Sequence, residues 1–169
     1  MQIKRQITVD TSADKVWEIL GPGFEHVADW ISAVHLSHGR MDGTVLRNAP
    51  SSGRVCETDL GPFKEVILRY DERNRTLAYS AEGAKMPFFV TQMSNTWTVT
   101  PVSNHQASVN MRAEISLLPG FNLVMGPVMR LQIGGILSNA VEELKYFAEN
   151  GVPHPRKLEA QRQQQAQMA

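Results

Sequence analysis

The side chains most able to do chemistry are scattered along this chain rather than gathered in one motif. Five histidines stand at positions 26, 35, 38, 105 and 154. His35 and His38 fall in a stretch that alternates like a strand, so three residues of separation points them to opposite faces. They form no two-ligand metal clamp, and no metal site is expected. His105 sits in a predicted turn and His154 in the polar end of the chain, where a solvated imidazole is the natural reading. The single cysteine, Cys56, can form neither an internal disulfide nor a cysteine-rich zinc site. No Gly-x-Ser-x-Gly elbow marks an activated serine. Gly120, Gly126, Gly134 and Gly135 do not have the spacing that cradles a phosphate. No cofactor is expected.

Two polar residues interrupt apolar patterns instead. Glu65 alternates with Phe63, Ile67 and Arg69. If that face looks inward, Glu65 is a cavity carboxylate and the candidate acid/base. Val66, Leu68 and Tyr70 make an equally apolar alternative face; in that case Glu65 is a solvated strand carboxylate beside a lysine or arginine. Asn95 lies on one face with Phe89, Met93, Trp97 and Val99. An amide on an apolar face must find a hydrogen-bond partner, whether a ligand, Glu65 or water. Trp30 and Trp97 either line a cavity or pack in the core. Met86, Met93, Met111, Met125 and Met129 can adapt to an irregular apolar ligand. Arg112 and Glu114 alternate against Val109, Met111, Ala113 and Ile115 and read as a solvent face.

The elements that must position these residues follow from periodicity. Ile3 to Val9 alternates as a strand in which Arg5 is a blemish. Thr11 or Ser12 offers an N-cap to a helix over Ala13 to Leu20, with Val16, Trp17 and Leu20 on its buried side. Gly21-Pro22-Gly23 ends it, and Phe24 to Trp30 reads as a second short helix. Strands are then expected over Val34 to Met41, Gly43 to Arg47, Arg54 to Asp59, Phe63 to Tyr70, Thr76 to Glu82, Phe88 to Thr100 and Ala107 to Leu118. Their connections are short and polar, so the sheet is antiparallel. After Gly126-Pro127 a long helix begins, with Met129, Ile133, Leu137, Val141 and Leu144 on one broad face. Asn150-Gly151 is its expected C-cap. Gly134-Gly135 falls in mid-helix, either for close packing on the sheet or for a widened cavity. The domain is expected to span 1–151; residues 152–169 are Gln-rich and expected to be a disordered tail or a frayed helix, and removal of everything after Arg156 is expected to leave the fold intact.

One helix cannot fill the concave side of so large a sheet. A cavity of roughly 300–1,000 Å³ is expected between them, bounded by Trp30, Glu65, Phe89, Met93, Asn95, Trp97, Met129, Ile133 and Leu137. Hydrophobic residues make up 42% of the chain, enough for a core. Seventeen basic residues balance 17 acidic ones, so no global field draws nucleic acid or an anionic membrane. No run is apolar for long enough to insert stably in a bilayer. The start of the chain has no signal-type apolar core, and a cytoplasmic location is expected.

The order of elements resembles the START-like helix-grip superfamily, within it the polyketide cyclase/dehydrase-like (SRPBCC) group. The resemblance rests on Ala13-Asp14-Lys15-Val16-Trp17 after the first strand and on the hairpin from Arg69-Tyr70-Asp71 to Leu77-Ala78-Tyr79. It rests also on Asn95-Thr96-Trp97-Thr98-Val99 and on Val141-Glu142-Glu143-Leu144-Lys145. It implies an α+β fold with the curved sheet wrapped around the long C-terminal helix. Anchored on Pro119, it also implies that Arg112 and Glu114 face inward, against the alternation. Lipid carriers, hormone receptors, cyclases and hydrolases share such a fold, so fold does not give function. Three readings follow. The first is a binding or transport protein for a small hydrophobic molecule of lipid, isoprenoid or aromatic polyketide type. The second is a cyclase- or dehydratase-like enzyme using Glu65, with Asn95 orienting a carbonyl. The third is an interaction protein working through its tail or an open sheet edge.

Overall fold

Seven strands, three α-helices and one 3₁₀ helix succeed each other in the computed structural model, which describes residues 1–168. They are β1 (Gln2–Val9), α1 (Ala13–Leu20), the 3₁₀ helix Phe24–Asp29, β2 (Leu36–Arg40), β3 (Gly53–Thr58), β4 (Gly61–Asp71), β5 (Thr76–Gly83), β6 (Val90–Ser103), β7 (Gln106–Leu117), α2 (Phe121–Asn150) and α3 (Pro155–Met168). The sheet order is β1-β7-β6-β5-β4-β3-β2, antiparallel throughout. This is the helix-grip arrangement: a curved sheet with α2 against its concave side.

Local sequence accounts for most boundaries. Ser12 caps α1 by accepting from the Lys15 backbone N–H at 3.3 Å, and Val16, Trp17 and Leu20 are buried. On β7, Val109, Met111, Ala113 and Ile115 point inward and are buried, while Arg112 and Glu114 are exposed. Period-two alternation therefore prevails, and the inward placement implied by the resemblance does not hold. On β4, Glu65 and Ile67 are buried whereas Val66 and Leu68 are exposed. The solvated-carboxylate alternative for Glu65 is thereby overturned.

Helix α2 lays Leu137, Ala140, Val141, Leu144 and Ala148 on the sheet. It ends at Gly151, whose φ of 71° is left-handed, and the Gly151 N–H donates to the Phe147 carbonyl at 2.8 Å. Only glycine holds that conformation without a Cβ penalty. The Arg5 blemish on β1 has a partner on α2: its Nε donates to Ser138 Oγ at 2.7 Å and its Nη2 to the Gly134 carbonyl at 3.0 Å. A Cβ on residue 134 would lie 2.8 Å from Arg5 Nη2. Gly134 thus lies against the Arg5 guanidinium, while Gly135 faces solvent.

Three expectations fail. Gly43 to Arg47 is a loop without strand pairing, bent at Gly43 and turning at Arg47-Asn48, in keeping with the turn-forming residues Asn48-Ala49-Pro50. Helix α2 starts at Phe121 and contains Pro127. The apolar residues before Pro127 are helical as well, so the proline removes one internal bond rather than opening the helix. The third concerns the tail. Instead of being disordered, Pro155–Met168 is helical and its first turn is docked; Ala169, the last residue of that tail, lies outside the described residues. Lys157 is 1% exposed and its Nζ donates to the Val34 carbonyl at 2.6 Å. Arg156 donates to Glu143 and Glu142, both at 3.0 Å. Glu143 is fully buried and also accepts from Ser32 N–H at 2.8 Å and Ser32 Oγ at 2.7 Å. Burial lowers the Lys157 pKa, opposed by the nearby negative charges of Glu143 and Asp29. Composition concealed this docking because it rests on two long polar side chains, not on apolar area.

Candidate functional site

The concave side holds two adjoining spaces. An inner chamber of about 140 Å³ lies between the 3₁₀ helix, the sheet and α2, with Phe24, Trp30, Tyr79, Trp97 and Leu137 in its wall. An outer chamber of about 450 Å³ lies nearer the start of α2, lined by Cys56, Phe63, Met86, Met93, Met129 and Ile133. Val34, Glu65, Asn95, Ile136 and Leu137 border both. The wall is made by strand alternation on β3 to β7 on one side and by the i, i+4, i+8 positions Met129, Ile133 and Leu137 on the other.

Of the residues singled out in the sequence, Trp30 and Trp97 line the inner chamber, and Met93, Met129 and Ile133 the outer. Glu65, Asn95 and Leu137 line both. Phe89 lines neither. Strand β6 begins at Val90 rather than Phe88, so Phe89 precedes the alternating stretch. It stacks on Phe121 with ring centroids 5.0 Å apart, and Phe88 meets both rings edge-on. Phe89 therefore ties the β5–β6 loop to the start of α2 instead of lining the cavity.

Arg54 is the residue that sequence reasoning missed. The tight connection at Asp59-Leu60 pairs β3 with β4 so that Arg54 lies directly opposite Glu65. Its Nε donates to Glu65 Oε2 and its Nη1 to the Phe24 carbonyl. The guanidinium also covers the Phe24 ring, 3.9 Å from its centroid. Burial opposes the Arg54 charge most strongly, but the attraction of Glu65 and the other groups around it prevails, and its pKa is raised. Hairpin register was the available signal: a two-residue turn fixes which β3 residue faces Glu65.

Two further side chains of the wall, Tyr79 and Cys56, are held neutral. Burial pushes the Tyr79 phenol up to about 12, with Glu65 adding to the effect, and its oxygen accepts from Trp97 Nε1 at 3.3 Å. Burial likewise pushes the Cys56 thiol up to about 11, which removes the thiolate needed for nucleophilic work. Modification of Cys56 by a disulfide reagent at pH 8 is accordingly expected to be about a hundredfold slower in the folded protein than in urea, because thiolate sets the rate. Equal rates would contradict this placement. Two polar atoms stand apart. Among the described residues, Trp30 Nε1 and Asn95 Oδ1 are buried with no hydrogen-bond partner. Among the same residues, no group of three or more His, Cys, Asp or Glu side chains is placed to hold a metal ion. No helix there is long and apolar enough to cross a membrane.

Comparison with known proteins agrees with this architecture. The sequence model of a family described as polyketide cyclase / dehydrase and lipid transport matches residues 1–149. No curated protein matches the chain in sequence. A START superfamily protein from Mycobacterium smegmatis superposes with a TM-score of 0.68 at 13% identity, covering 88% of this chain and 97% of that one. Truncated norcoclaurine synthase from Thalictrum flavum gives 0.67 at 16% identity, covering 89% and 94%. The di-domain ARO/CYC BexL from the BE-7585A biosynthetic pathway gives 0.68 at 16% identity, over 87% of this chain and 47% of that one. At these identities the likeness is one of fold.

Proposed function

The chain belongs to the polyketide cyclase/dehydrase and lipid transport family, and from that premise we propose that it binds one small hydrophobic molecule, of lipid, isoprenoid or aromatic polyketide type, in the two-chambered cavity. The observation that carries this reading is the outer chamber. Its volume of about 450 Å³ falls in the range of ligand pockets, and its wall contains the adaptable side chains of Met86, Met93 and Met129. The charged groups at its inner end are already matched to one another, so they shape the site without demanding a charged ligand.

A cyclase- or dehydratase-like reaction using Glu65 is the second reading, favoured by Glu65 and Asn95 bordering the same space. Against it, Arg54 donates to one Glu65 oxygen. Proton abstraction by that carboxylate would weaken a charge-assisted bond. Neither Cys56 nor Tyr79 supplies a second proton carrier near neutral pH.

Titration with N-phenylnaphthylamine, a neutral apolar fluorophore, is expected to show saturable binding at one site. Ile133→Trp places an indole in the outer chamber. It is expected to weaken that binding at least about tenfold, the equivalent of 1.4 kcal/mol, without unfolding the protein. An unchanged affinity in Ile133→Trp would remove the cavity as the binding site.

A further inference from the structure

We propose that the ligand enters with a hydroxylated aromatic ring first, and that this phenol head occupies the inner chamber while an apolar remainder fills the outer one. The inference rests on the binding reading above and narrows it to a class of molecule. Size is the first argument. The inner chamber holds about 140 Å³, and an apolar cavity of about 150 Å³ takes up one benzene ring in an unrelated protein. Its wall presents the aromatic side chains of Phe24, Tyr79 and Trp97, which favour a flat ring through edge and offset contacts.

The unpartnered atoms supply the second argument. Trp30 Nε1 can only donate and Asn95 Oδ1 can only accept. Both residues line the inner chamber, and neither atom has a partner among the described residues. Leaving such a group buried and unpaired costs about 1–3 kcal/mol. Among the head groups of an organic ligand, a hydroxyl is the smallest that accepts one bond and donates another. A carbonyl could accept from Trp30 but would leave Asn95 unmet. A carboxylate head would face the acceptor of Asn95 and the negative charge of Glu65, and the Arg54 guanidinium is already engaged by Glu65 and the Phe24 carbonyl.

Shared lining sets the two chambers side by side. Val34, Asn95 and Leu137 belong to both walls. A para-substituted phenol can therefore keep its ring inside while its chain passes Asn95 toward Met129 and Ile133.

The test is displacement of N-phenylnaphthylamine by para-hexylphenol, by its methyl ether para-hexylanisole and by hexylbenzene. In the unaltered protein the phenol is expected to bind about tenfold more tightly than hexylbenzene, since two net hydrogen bonds distinguish them. The ether, which cannot donate and carries an extra methyl, is expected to gain nothing over hexylbenzene. In Asn95→Leu, and separately in Trp30→Phe, the advantage of the phenol is expected to shrink to about twofold or less while hexylbenzene binds as well or better. A phenol that binds no more tightly than hexylbenzene overturns the inference and leaves the cavity reading standing. So does an advantage that survives in both variants. If neither the fluorophore nor any of the three compounds binds, the cavity reading fails first and this inference with it.

Discussion

Arg54→Met, with Glu65 left in place, is expected to lower the unfolding free energy by about 3–5 kcal/mol, the usual cost of stranding one partner of a buried ion pair. Glu65 is 9% exposed and faces Arg54 across the β3–β4 ladder. Without Arg54 its carboxylate loses the donor beside it and remains in an apolar wall. Glu65→Gln is expected to destabilise as well, because its amide oxygen can still accept from Arg54 but the buried guanidinium, 5% exposed, loses its counter-charge. An unpaired cavity carboxylate would gain by neutralisation; Arg54 opposite Glu65 reverses that sign. The double variant Arg54→Met/Glu65→Leu is expected to recover most of the loss, as apolar replacements of a buried pair often do. Urea denaturation of Arg54→Met, Glu65→Leu and the double variant completes a double-mutant cycle. A loss under 1 kcal/mol in Arg54→Met, or a double variant less stable than either single one, would show that the pair is not buried together.

Removal of residues 155–169 is expected to cost on the order of 3 kcal/mol, because the fully buried Glu143 loses its only cationic partner among the described residues and the Val34 carbonyl loses its Lys157 donor. For a chain of this size that corresponds to a fall of roughly 10 °C in melting temperature. The segment it releases matters for the site. Ser32 is held by Glu143 and Val34 by Lys157, and the loop between them forms a wall of both chambers. Truncation is therefore expected to weaken ligand binding in step with stability. Calorimetry of the truncated chain checks the first effect; an unchanged melting temperature would mean that α3 is not docked in solution.

Much of this architecture is legible in the residues. Alternation on β1 and β7 and the Ser12 cap of α1 are local signals, and the structure follows them closely. The cavity was legible too, as the consequence of one helix on a seven-stranded sheet. What escaped is non-local. Arg54 became part of the site through hairpin register, which no window of hydrophobicity reveals. Lys157 docks through a single ammonium on a backbone carbonyl, in a segment whose composition looks like solvent. Phe89 had the right period but the wrong side of a strand boundary, and two residues of error moved it from the cavity wall to a loop cluster. The Glu65 ambiguity is of the same kind: both faces of β4 are apolar enough, and only the burial of Arg54 opposite decides between them.

The central claim is that the concave cavity holds one small apolar molecule whose buried end carries a hydroxyl. Native mass spectrometry of the protein purified from its own host, before and after gentle collisional activation, tests it most directly. The account predicts a single non-covalent adduct in the unaltered protein, released as a neutral apolar compound with a phenolic hydroxyl and much reduced in Ile133→Trp. An adduct that is charged or wholly without a hydroxyl, or one retained undiminished in Ile133→Trp, would contradict it.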